Sequence, residues 1–129
     1  MKEFFYNLAI SAMAALAPIK PVMITVGILI ISDLVSGVWA AHKRGEPITS
    51  AALGRTITKM VVYQTAVITG FLLQRYLLAD AIPVVNLVGG VIGMVEFKSF
   101  IENANSIVGG DLLKEIIKKL SSKNDDDSR

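Results

Sequence analysis

The chain has 129 residues and a formal charge of +2 at pH 7, and 53% of its residues are hydrophobic. That length suits one domain, but the apolar share and the mean hydropathy of +0.56 exceed what a soluble domain needs, since such domains are about 45–50% apolar with glycine counted. The lack of cysteine excludes disulfides and thiolate chemistry, and the weak charge without an aromatic-and-basic stripe argues against a nucleic-acid partner.

The apolar residues fall in runs and the charges fall between them, which points to a membrane. Residues 4–17 form the first run, rich in alanine. At about 1.5 Å per residue it reaches about 21 Å, short of a hydrocarbon core about 30 Å thick. It resembles a signal peptide only superficially: Lys2 is offset by Glu3, and "PIKP" breaks the run, so a retained membrane-associated helix is expected. Pro18 and Pro21 cannot both lie inside one straight helix. Residues 22–41 form a second run, with one charge and enough length to span. Lys43, Arg44 and "GEP" end it, and Thr49 and Ser50 suit N-caps of a helix starting near Ala51.

The third run covers residues 60–79, with Arg75 near its far end, where its guanidinium can snorkel. Asp80 and Pro83 mark a tight turn. The fourth run, a span expected over residues 82–97, is glycine-rich and continues into "KSFIENANSIVGG". After Gly110, "DLLKEIIKKL" sets Leu112, Leu113, Ile116, Ile117 and Leu120 on one face and lysines on the other, so an amphipathic helix over residues 111–120 is expected, N-capped by Asp111. The polar residues 121–129 are expected to be disordered.

The chain therefore divides into a short apolar helix with a proline break (residues 1–21), a helical membrane domain (22–103), and an amphipathic helix with a polar tail (104–129). Lys43, Arg44, Arg55 and Lys59 in one loop, with the lysines after residue 97, place that loop and the C-terminus in the cytoplasm. Four crossings put the N-terminus inside and three put it outside; four is the expectation. The fold class is an all-α integral membrane protein with three to four transmembrane helices plus a C-terminal cytoplasmic amphipathic helix.

Asp33 interrupts the second run. A lone carboxylate at mid-bilayer costs about 2.5–3.5 kcal/mol on insertion scales, so it should face protein or water. Either it is a structural group hydrogen-bonded to a neighbouring helix, or it controls assembly or lines a wet path, which is favoured. Ser32, Ser36, Gly37, Ala40 and Ala41 make the same flank small, and Gly89 with Gly93 forms a second small-xxx-small pair. Glu96 reads equally well as an interfacial carboxylate or a helix–helix contact. Lys59 is a possible partner of Asp33 or Glu96. Thr58, Thr65, Thr69 and Gln74 read as weak interhelical glue. The single histidine, His42, lacks companion ligands, so no metal is expected. No phosphate loop or catalytic set is apparent, so neither cofactor nor enzyme activity is expected.

"SDLVSGVWAAHKRGEPITSAALGRTITKM" and "EFKSFIEN" resemble the signature of the toxin-secretion/phage-lysis holin family. The positions carrying it are Asp33, Gly37, Ala40, Ala41, Lys43, Ser50, Gly54 and Lys59, then Glu96, Ser99, Glu102 and Asn103. Where an aromatic often follows the aspartate, Leu34 stands here. The resemblance covers roughly residues 22–120. It implies a homo-oligomer in the bacterial cytoplasmic membrane whose lesions release an endolysin or a folded toxin, with membrane lipid as the other partner. Asp33, Ser36, Gly37, Ala40, Gly89, Gly93 and Glu96 are the candidate oligomerisation and polar membrane face. The rival expectations are an anchor for a phage-like contractile or secretion apparatus and a small non-lytic ion-conducting oligomer.

Overall fold

A computed structural model describes the backbone of residues 1–126 and the side chains of residues 1–123. Among the described residues every regular element is helical. Helix α1 runs Lys2–Ala15, α2 Lys20–Lys43, α3 Ser50–Leu72, α4 Val84–Val108 and α5 Leu112–Asp126. A 3-10 turn, Ala17–Ile19, joins α1 to α2, and a π turn, Leu73–Leu77, prolongs α3.

The two prolines find separate places. Pro18 opens the 3-10 turn, and Pro21 sits in the first turn of α2, where a missing N–H breaks no ladder bond. His42 and Lys43 occupy the last turn of α2, where a cation meets the negative end of the helix dipole. Gly45, at φ +73°, turns the chain into the 44–49 connection. Thr49 is the N-cap residue of α3, but its side chain makes no capping bond. The return from α3 to α4 is tight, with Ala79 and Asp80 both left-handed. Gln74 Oε1 accepts from the Val85 N–H at 3.0 Å, which satisfies a first-turn N–H of α4 and ties it to the π turn of α3, an interhelical contact of the kind expected of Gln74.

Helices α2, α3 and α4 pack pairwise into a bundle, α2 against α4 most extensively. Each presents a stripe at alternating steps of four and three residues, the seam of bundle packing. These are Val26, Ile30, Asp33, Gly37 and Ala40 on α2; Thr56, Met60, Tyr63, Val67, Gly70 and Gln74 on α3; and Val85, Gly89, Ile92, Glu96, Ser99 and Asn103 on α4, all buried or half-buried. At the end where the 78–83 turn lies, the interior is apolar: Ile19, Val26, Ile30, Val67, Phe71, Val85 and Ile92. Toward the 44–49 connection it is polar.

The exterior inverts the soluble pattern. Ile24, Ile28, Ile31, Val35 and Trp39 of α2, Ile57, Val61 and Val62 of α3, and Leu87, Val91, Met94 and Val95 of α4 are all exposed. Three helical segments, Ala17–Lys43, Ser50–Leu77 and Val84–Val108, are long and apolar enough to cross a membrane. Helix α1 is not among them: it has 14 residues and buries none of them, so the fourth crossing expected over residues 4–17 has no counterpart among these segments. At the other end α5 outruns the expected 111–120 helix. Residues 121–126 continue it, because nothing after Leu120 in "SSKNDDDSR" is a glycine or proline that would stop a helix. Residues 127–129 of the expected disordered tail lie outside the described residues.

Candidate functional site

At about 1.5 Å per residue, Asp33, Lys59 and Glu96 each lie roughly 14–18 Å from the helix end beside the 44–49 connection. The alternating stripes turn Asp33 and Glu96 inward, and Lys59 flanks the α3 stripe next to Met60. The three meet as one ion triad. Lys59 Nζ lies 2.8 Å from Asp33 Oδ2 and 3.0 Å from Glu96 Oε2. A single ammonium thus ties α3 to both α2 and α4.

Asn103, two turns along α4 from Glu96, completes the site. Its Nδ2 donates to Asp33 Oδ1 at 3.1 Å, to the Asp33 carbonyl at 3.3 Å and to Ser36 Oγ at 3.2 Å. Ser36 Oγ in turn donates to the Asp33 carbonyl at 3.1 Å. Gly37 faces this amide, and a Cβ there would meet Asn103 Nδ2 at 3.4 Å, an ordinary van der Waals contact. The residue four positions after the aspartate thus lies beside the polar contact between α2 and α4.

The three charged groups differ in their access to solvent. The Lys59 side chain is 33% exposed, Asp33 15% and Glu96 0%. The exposure of the first two comes through a cleft of about 480 Å³ lined by Asp33, Gly37, Arg55, Thr56, Lys59 and Asn103, with the 44–49 connection at its rim. Ser99 also lines it. Glu96 is the innermost member of the triad, and its Oε1 has no hydrogen-bond partner. Two carboxylates thus share one ammonium in an interior that offers few alternatives. Desolvation makes such a group a poor source of net stability, but removing one member is costly.

The rim carries its own charges. Arg44 bonds both oxygens of Glu46, at 2.8 and 2.9 Å, and reaches Ser106 Oγ at 3.0 Å. The Glu46 carboxyl is held below, and the Arg44 guanidinium above, its ordinary range by that pairing. Lys43 donates to the Ile107 carbonyl. These contacts clamp the start of the connection to the last turn of α4.

Of the residues singled out from the sequence, the fold brings together Asp33, Ser36, Gly37, Lys59, Glu96, Ser99 and Asn103, with fully buried Ala40 next in the same stripe. It leaves others apart. Gly89 and Gly93 approach Val22 and Leu29 of α2, in the apolar half, so within one chain they serve the α2–α4 contact. Ser50 and Gly54 are exposed at the start of α3, and Glu102 is exposed beside Lys98. Thr58 and Thr65 donate to carbonyls four residues back in their own helix, and Thr69 faces outward. Besides Gln74, a second cross-helix amide is Gln64 of α3, whose Nε2 donates to the Met23 carbonyl at 2.9 Å. Its place beside Tyr63 in the alternating stripe is the signal that would have found it. Asp111 caps α5 as expected, accepting the Lys114 N–H at 3.2 Å.

Among the described residues no group of three or more metal-ligating side chains forms. What the arrangement can do is hold three helices in register and keep polar groups away from lipid. The model of the bacteriophage holin family matches residues 11–124, a stretch that takes in α2, α3, α4 and all but the last two residues of α5. No curated protein and no solved structure gives a significant match.

Proposed function

Because this chain belongs to the bacteriophage holin family, we propose that it accumulates in the bacterial cytoplasmic membrane and oligomerises there into lesions that let an endolysin or a folded toxin pass. The observation that carries this is the family match across all three membrane-capable helices. In this reading α2, α3 and α4 cross the bilayer, and the 44–49 connection and the C-terminus face the cytoplasm.

The triad suggests how one chain serves two states. Alone in lipid, its charged groups are paired inside the bundle and its exterior is apolar. A hole that passes a folded protein needs a wet wall. The polar halves of the three inward stripes are the surface this chain has to offer. Assembly would part α3 from α2 and α4, turn Asp33, Lys59, Glu96 and Asn103 toward water, and let Lys59 pair with carboxylates of neighbouring copies. The small inward residues would then contact other copies as well as their own chain.

The test is controlled expression in bacteria, with and without a co-expressed endolysin that has no export signal. Growth should stop abruptly after a delay, and lysis should require the endolysin. Continued growth at high membrane levels, with a soluble partner co-purifying through residues 98–129, would replace this reading with that of an anchor.

A further inference from the structure

Helix α5 leaves the end of α4 through Gly109, whose left-handed φ of +71° turns the chain sharply. Asn105 Oδ1 on the last turn of α4 accepts the Leu112 N–H at 2.7 Å, and Asp111 caps the new helix. Both bonds fix α5 close to the point where α4 ends. Yet beyond half-buried Leu112 the apolar face of α5 is left open among the described residues. Leu113, Ile116, Ile117 and Leu120 are 46%, 44%, 58% and 63% exposed. Lys114, Lys118, Lys119 and Lys123 lie across and beside that face and outnumber Glu115, Asp125 and Asp126 of the same helix, with Lys114 also pairing with Asp111 at 3.3 Å.

The geometry points to a lipid surface as the occupant: α5 lies along the leaflet at which α4 ends, with its apolar face among the acyl chains and its lysines on anionic headgroups. The charge pattern selects this partner, because a helix with an apolar face and lysine flanks complements an anionic interface. Placement selects it as well. A short connection from a membrane-spanning helix holds α5 at the bilayer surface, so the effective concentration of that surface is high. A soluble partner would have to compete with it. The inference needs α4 to cross the membrane and is independent of any lytic role.

The chain has no cysteine, so a single nitroxide can be placed cleanly. Ile117→Cys and, on the opposite face, Lys118→Cys are labelled in the full chain, reconstituted in phosphatidylcholine bilayers with or without phosphatidylglycerol. With phosphatidylglycerol, the label at 117 should collide with oxygen and be shielded from a water-soluble nickel reagent, and the label at 118 should do the reverse. The contrast should fall by about tenfold or more when the four lysines of the helix are changed to glutamine or salt is raised. Equal access of both labels to the nickel reagent in anionic bilayers would overturn the inference. So would dipolar broadening that places the label at 117 against another copy of α5.

Discussion

Lys59 is the residue on which the polar interior depends. Its ammonium is the only cation in contact with Asp33 and Glu96 among the described residues. Lys59→Met leaves two carboxylates facing each other without compensation. It should destabilise the bundle by roughly 2–4 kcal/mol, the usual loss from breaking a buried pair discounted for the partial exposure of the lysine. Changing all three members together, Asp33→Asn, Lys59→Met and Glu96→Gln, should recover most of that loss, because no uncompensated charge then remains. Reversible unfolding in mixed micelles reads both. If the triple variant proves as unstable as the single one, charge compensation is not what the lysine supplies. Gly37 is legible at this scale only after the fact: the sequence shows a small residue, and the fold shows the Asn103 amide that it faces.

At the scale of elements, the turn between α3 and α4 is the most local piece of the design. Asp80 is left-handed, and its carboxylate takes hydrogen bonds from Arg75 at 2.6 Å and Gln74 at 3.2 Å. The Arg75 bond, with Gln74 assisting, holds the Asp80 carboxyl below the ordinary aspartate range. A depressed carboxyl contributes stability that is fully present above its unfolded pKa and is lost as pH falls through the folded value. The 78–83 turn should therefore loosen only below the ordinary aspartate range. Amide exchange at residues 80–85, corrected for intrinsic rates, should rise there in the parent chain, and an Asp80→Asn variant should show no such step. A step of equal size in both would remove Asp80 from the account. The helices themselves were legible from apolar runs and proline placement. Their ends were less so, since α5 continued past the expected stop and α3 was prolonged by a π turn that no residue pattern announced.

At the scale of the whole molecule, charges paired within one chain keep a single copy comfortable in lipid. If lesion formation requires the triad to open, its strength should set the delay before lysis. Lys59→Met should shorten the delay, and Asp33→Leu should also change it by removing one half of the clasp. Optical density traces of induced cultures at matched membrane levels would show this. Parent-like timing in both variants would separate the triad from lysis. Helix α1 stands outside this scheme: none of its residues is buried among the described residues.

The linear sequence by itself determined the solvent and the class of the protein. Apolar runs of spanning length, interrupted by proline, glycine and basic residues, leave little choice but helices in a bilayer, because the backbone there must bond to itself. It also marked Asp33 as a group that had to find company. Only the tertiary structure decided which company. Pairing Asp33 with Lys59, Glu96 and Asn103 depends on the relative rotation and depth of three helices far apart in the chain. Local periodicity says which way each side chain points but not what it meets.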